Sequence, residues 1–218
     1  MLDTKLNALK GQVVQFSALV ENMQAKAVAG LVNGDQDLLQ AVIDADEPQA
    51  NRAELEVEEV CIHLIAQFQP MARDLRTLLV IHNMSNDLER MADHAVNIAV
   101  SAREILHNPP IKRYLDIPRM STIAGDMLSG AISAFMDEDV TRARKVLEQD
   151  AELDHLRDQI LREMITFMTE NPRIIGTAIH VLRIAENLER IGDLATNICE
   201  DVIFMSQGTV VKHLKDCL

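Results

Sequence analysis

The chain carries one eleven-residue segment twice: LERMADHAVNI at residues 88–98 and LERIGDLATNI at residues 188–198. The two copies are identical at seven of eleven positions and lie one hundred residues apart. A sequence repeat with a fixed period usually marks a supersecondary unit that the chain uses more than once. We therefore expect two equivalent halves, with the two copies in corresponding places.

Apolar residues around each copy recur at alternating spacings of three and four. In the first half this stripe runs from Ile81 through Leu88 to Ile105, and in the second half it runs from Val181 to Met205. Such spacing is typical of the core-facing side of a long helix in a bundle. Both copies are therefore predicted to be helical, and the directions of their charged side chains follow from helix geometry.

The composition favours an all-α protein. Of the 218 residues, 48% are hydrophobic but only 3% are aromatic, and there is no tryptophan. This content is sufficient for a folded core. The net charge of −13 argues against nucleic acid as a partner, because phosphates would be repelled, and it suits cations or a basic protein surface.

Turn-forming residues divide each half into three helical segments. In the first half the segments end at Asn33-Gly34-Asp35, Gln69-Pro70 and Asn108-Pro109-Pro110, because glycine and proline interrupt helices. In the second half, Asp137-Glu138-Asp139 and Asn171-Pro172 lie at the matching places, and the asparagine and proline are expected to cap and open the last helix.

The predicted fold is all-α, with two tandem three-helix bundles, six long helices and a pseudo-twofold repeat. The predicted domains span residues 1–108 and 117–218, on either side of the proline-containing connection. Pro48 predicts a kink or a fresh start early in the second helix. The tail Thr209–Leu218 is expected to be loosely held.

Sequence signals for membrane insertion, secretion, disulfide pairing and catalysis are missing. No apolar run approaches the ~18 residues needed to span a membrane, and the N-terminus lacks a secretory signal, so we expect a cytoplasmic protein without a membrane span. The three cysteines, Cys61, Cys199 and Cys217, form no CxxC pair and are expected to be reduced. Glycine-rich phosphate loops and nucleophile motifs are also missing, so we do not expect an enzyme.

Each copy of the motif places two carboxylates one helical turn apart. Glu89 and Asp93 share one face, and Glu189 and Asp193 share the equivalent face. Like charges at this spacing repel by a few tenths of a kcal/mol. Solvent and nearby arginines could offset the repulsion, or a metal ion could, because carboxylate oxygens are suitable ligands for hard cations.

The second helix of each half offers another pair of oxygen-bearing side chains. Glu47 and Asn51 lie fourteen and ten residues before Cys61, and Asp150 and Asp154 lie fourteen and ten before Met164. Facing pairs from adjacent helices could supply four or more oxygens to a metal cluster. The site of the second half is favoured, because it has four carboxylates where the first half has three and an amide. The alternative is that exposed helix faces are acidic by default, and that Asp150 is favoured by the helix dipole. The candidate metal ligands are Glu47, Asn51, Glu89, Asp93, Asp150, Asp154, Glu189 and Asp193.

Histidine supplies weaker candidates. His94 adjoins Asp93 and could be a ligand, although a hydrogen-bonded surface histidine is the more ordinary interpretation. Glu152 and His155 form a single Glu-x-x-His. Ferritin-like di-iron sites use two such pairs on facing helices, and the sequence has no second one, which argues against a carboxylate-bridged oxidase.

The doubled LER-(M/I)-(A/G)-D-x-A-x-N-I segment resembles the signature of the PhoU family, accessory regulators of phosphate uptake. Other features are similar: EEVC at 58–61 before Gln69-Pro70, then DLR at 74–76, and GTVVKH at 208–213. The resemblance covers essentially the whole chain. It implies two three-helix PhoU domains in a cytoplasmic protein that represses phosphate-starvation signalling, together with the Pst phosphate ABC transporter and its linked sensor histidine kinase.

The resemblance also implies metal. Family motifs of the form Glu/Asp-x-x-x-Asp can hold multinuclear clusters, and they correspond here to Glu89/Asp93, Glu189/Asp193 and Asp150/Asp154; Glu47-x-x-x-Asn51 departs in having an amide. We expect iron or zinc, alternatively magnesium or manganese. We further expect binding to the nucleotide-binding subunit of the transporter and to the phosphate-sensing kinase, and a homodimer. The rival interpretations are a carboxylate-bridged metal store or metalloenzyme and a metal-free helical scaffold.

Overall fold

The computed structural model describes residues 1–109, 111 and 114–208. Within these ranges the chain forms helices and turns, and no strand is present. The six long helices are α1 (Leu2–Asn33), α3 (Glu47–Phe68), α4 (Ala72–Leu106), α5 (Asp116–Asp137), α6 (Val140–Glu170) and α7 (Ile175–Gln207). A short helix α2 (Gln36–Ala41) and a π-helical turn (Val42–Asp46) lie between α1 and α3, and a 3-10 turn (Pro172–Ile174) precedes α7. The predicted all-α fold is confirmed.

The predicted breaks in the first half coincide with helix ends. Gly34 follows α1 with a φ of 69°, a left-handed conformation that glycine adopts at low cost. Asp35 then caps α2 by accepting hydrogen bonds at 3.1 Å from the backbone N–H groups of Asp37 and Leu38. Pro48 lies in the first turn of α3, directly after the π-helical turn, at the point where the helical bonding pattern changes. The interruption predicted at Pro48 is thus confirmed, and it takes the form of a π turn.

The second half uses the same kind of local chemistry. Asp139 caps α6 by accepting hydrogen bonds from the backbone N–H groups of Thr141 and Arg142 at 2.9 and 3.1 Å. The Asn171 side chain accepts from the N–H of Arg173 at 3.2 Å, as expected for a cap, although a 3-10 turn separates it from α7. Gly208 ends α7 in the left-handed region. The tail Thr209–Leu218 lies outside the described residues.

The two motif helices, α4 and α7, pack against each other in the centre of the molecule. Asn83 bonds Asp201, and His94 lies within hydrogen-bonding distance of Asn187, so α7 residue numbers fall as α4 numbers rise and the helices are antiparallel. Leu88 and Leu188 are both fully buried. Full burial of one such side chain stabilises the fold by roughly 1.5–3 kcal/mol.

The halves share one hydrophobic core. It runs without a break from α1 through α4 to α5 and α7. The α1 and α5 helices also meet directly, where the buried Gln24 donates from Nε2 to the backbone carbonyl of Ser121 at 2.6 Å. No helix in the described part of the chain is both long and apolar enough to cross a membrane.

Candidate functional site

The α6–α7 face consists of Asp150 and Asp154 on α6 with Glu189 and Asp193 on α7. Arg157 on α6 links two of these carboxylates across the helix pair. Its Nη1 donates to Glu189 Oε1 at 2.9 Å. The Nη2 atom of the same guanidinium lies 3.5 Å from Asp154 Oδ1 and 3.0 Å from Asp158 Oδ1. One arginine thus joins the acidic residues of two helices.

A second arginine completes the charge balance on α7. Arg190 Nη1 donates to Asp193 Oδ2 at 3.0 Å, and its Nε lies 3.7 Å from Glu189 Oε2. Glu189 is only 6% exposed, and none of the described residues donates a hydrogen bond to its Oε2. Burial, followed by the charge of Asp193, raises the pKa of Glu189, while Arg190 and Arg157 oppose the rise. Glu189 is therefore a desolvated carboxylate that lies beside Asp193 and contacts the guanidinium groups of Arg157 and Arg190.

The α3–α4 face consists of Glu47 and Asn51 on α3 with Glu89 and Asp93 on α4, and its surroundings are different. Burial raises the pKa of Glu89, and Asp93, Glu54 and Glu47 raise it further. The opposing charge on Glu89 comes from Arg90. Four carboxylates from two helices thus act on one another here.

Glu54 belongs to the same group on α3. Burial and then the neighbouring Glu58 raise its pKa, Asp93 contributes in the same direction, and His82 opposes them. Asn51, the amide of the predicted ligand set, is exposed. The α3–α4 face is therefore the more negative of the two.

The two faces differ in how well they suit a metal ion. Across the described residues, no three His, Cys, Asp or Glu side chains converge closely enough to form a metal site. On the α3–α4 face the donors fit a hard cation chemically, because carboxylates repel one another there and would gain from a positive charge. On the α6–α7 face Arg157 and Arg190 already contact the carboxylates, so a cation would have to displace them. The predicted metal ligands Asp150, Asp154, Glu189 and Asp193 remain a prediction.

A polar groove of about 580 Å³ runs between α4 and α7, beside Asp193 and Arg190. Carboxylates, carboxamides and arginines line it together, among them Arg90, Asn197 and Glu200. Because the groove is formed where the halves meet, it was not predicted from either half alone.

The histidine candidates have other roles. His94 Nδ1 lies 2.8 Å from Asn187 Oδ1, so this residue links α4 to α7, as the hydrogen-bonded interpretation expects. Glu152 pairs with Arg119 at 2.6 Å on the surface, and His155 is exposed. The Glu-x-x-His pair therefore points away from the bundle core, whereas ferritin-like ligands project into it.

The family model described as PhoU domain matches the chain twice, over residues 13–102 and 117–202. The chain belongs to the PhoU family. Both matches include one copy of the eleven-residue motif, and the resemblance stated from the sequence is confirmed.

Relatives of this PhoU family member match it over nearly its whole length. A protein of Aquifex aeolicus named phosphate-specific transport system accessory protein PhoU homolog is 38% identical over 209 residues, covering 96% of this chain and 94% of that protein. The protein of Escherichia coli K12 named phosphate-specific transport system accessory protein PhoU is 30% identical over 212 residues, covering 97% and 88%.

Solved PhoU structures have the same fold. PhoU from Pseudomonas aeruginosa superposes with a TM-score of 0.91 at 31% identity and covers 96% of this chain and all of that one. The phosphate transport system regulatory protein PhoU from Streptococcus pneumoniae gives 0.90 at 25% identity, covering 97% and 100%. The helical fold that the resemblance implied for this chain is therefore confirmed.

Two residues of these PhoU-domain faces were missed by sequence reasoning: Glu54 and Arg157. The sequence contains a signal that could have found them. Glu47 and Asp150 correspond at an offset of 103 residues, and the same offset pairs Glu54 with Arg157. The equivalent faces thus carry opposite charges at one position. Comparing only the residues that match between the halves hid this difference.

Proposed function

We propose that this PhoU family member is an accessory regulator of a phosphate transport system. The observation that supports this most directly is the similarity to proteins named as phosphate transport accessory proteins, at 30–38% identity over both halves of the chain. In this function the chain represses phosphate-starvation signalling in the cytoplasm. It acts as an adaptor between the nucleotide-binding subunit of the phosphate ABC transporter and a phosphate-sensing histidine kinase.

The charge of the chain supports protein partners with basic surfaces. A net charge of −13 strengthens association with positive patches and repels nucleic acid. Calorimetric titration with the purified nucleotide-binding subunit and with the cytoplasmic part of the kinase tests the adaptor role. Saturable binding to both, weaker at higher ionic strength, is expected; absence of binding to either partner would contradict it.

The adaptor role is proposed to be non-catalytic and to involve a homodimer. The outward direction of Glu152 and His155 supports a regulator over a carboxylate-bridged oxidase, because oxidase ligands would face inward. Sedimentation equilibrium measures the oligomeric state, and a mass near twice the 24.4 kDa of one chain is expected. A single-chain mass at micromolar concentration would contradict the dimer.

We further propose that metal ions bind at the α3–α4 face, through Glu47, Glu89 and Asp93, with Glu54 beside them. Asn51 is included as the amide ligand that the sequence predicts. Iron or zinc are the first candidates, and magnesium or manganese the alternatives. A hard cation would offset the repulsion that acts on Glu89, and at a hundredfold excess over its dissociation constant it would stabilise the chain by about 2.7 kcal/mol.

Substitution of Asp93 discriminates this proposal from a metal-free scaffold. If metal binds, Asp93→Asn lowers both the metal content of protein purified without chelators and the melting temperature. If none binds, the same substitution relieves repulsion, and the melting temperature stays the same or rises. Glu104→Gln, an exposed change on the same helix, is the matched control. A chelator-insensitive melting curve together with a stable Asp93→Asn variant would leave the scaffold interpretation.

A further inference from the structure

Arg157, on α6, contacts carboxylates of both α6 and α7. Its guanidinium reaches Glu189 on α7 with one terminal nitrogen and Asp154 and Asp158 on α6 with the other, at 2.9, 3.5 and 3.0 Å. A planar guanidinium can bind carboxylates on two sides at once, which an ammonium cannot do as well. Arg157 is thus in contact with acidic side chains of both helices.

The burial of Glu189 explains why a cation is needed at this point. Its side chain is 8% exposed, whereas the Arg157 side chain is 37% exposed, so the carboxylate is desolvated and the arginine reaches it from the surface. A carboxylate removed from water is tolerated when it is paired and hydrogen-bonded. Arg157 supplies the shorter and hydrogen-bonded contact, and Arg190 lies farther away, at 3.7 Å from the other oxygen.

The internal repeat provides a built-in comparison. At the position of α3 that corresponds to Arg157 in α6, the sequence has Glu54. Glu89 is the counterpart of Glu189. The two equivalent helix pairs therefore have an arginine at this position in one half and a carboxylate in the other. The two faces, alike in their motif carboxylates, differ in net charge by two units at this position alone.

We propose that Arg157 is the tethered cation of the α6–α7 face and takes the place of a metal ion there, so that the two faces of this chain are not equivalent in ion binding. Arg157 contacts Glu189 and Asp154 of the α6–α7 face, and the α3–α4 face has Glu54 at the corresponding position. This role for Arg157 rests on the proposed metal-binding function in one respect only, because the cation that competes with Arg157 is taken to be a metal ion.

The experiment measures thermal stability and Mn²⁺ binding that depend on the α6–α7 face alone. Glu89→Gln and Asp93→Asn remove the motif carboxylates of the α3–α4 face, and every further variant is made in that background. Arg157→Gln, Arg157→Glu and Arg157→Lys are compared by thermal melting in EDTA and in Mn²⁺, and by calorimetric titration with Mn²⁺. Arg142→Gln is the matched control, because Arg142 lies on the same helix and pairs with the exposed Asp137 at 2.7 Å.

In EDTA, Arg157→Gln is expected to melt lower by roughly 2–4 °C for each kcal/mol lost, while Arg142→Gln melts as the background does. Mn²⁺ should restore the melting temperature of Arg157→Gln and should bind to Arg157→Glu. Asp193→Asn should abolish both effects. The background chain and Arg157→Lys, which keep a positive charge, should bind no Mn²⁺. A metal-dependent rescue is specific to a cation role, because an ordinary structural ion pair would not be replaced by Mn²⁺.

Three results would overturn the role of Arg157: Mn²⁺ binding that depends on Asp193 while Arg157 is intact, an Arg157→Gln variant that melts as the background does, or a destabilised variant that Mn²⁺ does not restore. If Arg157→Glu fails to fold, Arg157→Gln and Arg157→Lys still decide between these results. Failure of the parent chain to bind metal at Glu89 and Asp93 would instead contradict the proposed metal function. That result would not affect the measurements made in the Glu89→Gln/Asp93→Asn background.

Discussion

Adding one methyl group at Gly192 should destabilise the protein, because this glycine is where α7 approaches α6. An ideal Cβ at this position would lie 2.4 Å from Leu153 Cδ1 and 3.5 Å from Met127 Sδ. Carbon atoms in contact are ordinarily about 3.5–4.0 Å apart, so Leu153 would have to move by more than ~1 Å. Leu153 is fully buried and has little space to move.

The size of the effect follows from two opposing contributions. Overpacking a core costs about 1–3 kcal/mol, and replacing a helical glycine by alanine returns roughly 0.5–1 kcal/mol. We expect Gly192→Ala to lower the free energy of unfolding by about 1–2 kcal/mol. For a chain of this size the melting temperature should fall by roughly 2–8 °C.

Gly125→Ala is the matched control. Gly125 also lies within a helix, α5, but a Cβ there would meet no atom of the described residues within 4 Å. Only the helix-propensity gain remains, so the melting temperature should rise by roughly 1–4 °C. The two glycine substitutions are expected to have opposite signs in the same thermal or urea unfolding assay.

A double-mutant cycle tests whether Leu153 is the residue responsible. Leu153→Ala alone should cost about 2–5 kcal/mol because it leaves a cavity. In the Gly192→Ala background its cost should be smaller by about 0.5–3 kcal/mol, since the new methyl group then has space. Equal effects of Gly192→Ala and Gly125→Ala, or additive effects in the cycle, would refute the close approach of α6 and α7.

Two further predictions concern the core. Burial raises the pKa of the Cys61 and Cys199 thiols to about 12, with smaller contributions from Glu58 and Glu200. The two neutral thiols therefore contribute stability that is fully present below the ordinary thiol pKa and is lost as the pH rises toward 12. Urea unfolding at pH 8 to 10.5 should show that stability falls less with pH in a Cys61→Val/Cys199→Val variant than in the parent chain, and an equal fall in both would contradict this prediction. Leu88→Ala and Leu188→Ala should each cost about 2–5 kcal/mol, because both leucines are fully buried at equivalent positions; a cost below ~1 kcal/mol in either would mean that the two copies of the motif lie in unlike environments.

Local features of this fold could be predicted from the sequence because their physical causes are local. The helix end at Gly34, the cap at Asn171 and the interruption at Pro48 depend on a few neighbouring atoms, and each lies where the sequence predicts it. The heptad stripes around Leu88 and Leu188 also identify the buried sides of α4 and α7 correctly.

Features between helices could not be predicted in the same way. A heptad stripe tells which side of a helix is buried but not which helix covers it, so the antiparallel contact of α4 with α7 and the groove between them were missed. The role of Arg157 was missed for the same reason. Its side chain reaches Glu189, which is 32 residues away in sequence and on another helix.

The measurement that tests the proposed function most directly is expression of a phosphate-starvation reporter in a strain that lacks this chain, grown in excess phosphate. The proposed regulator predicts that the reporter is expressed despite the excess, and that a plasmid copy of the chain restores repression. A strain that keeps the reporter fully repressed in excess phosphate without this chain would contradict the proposal.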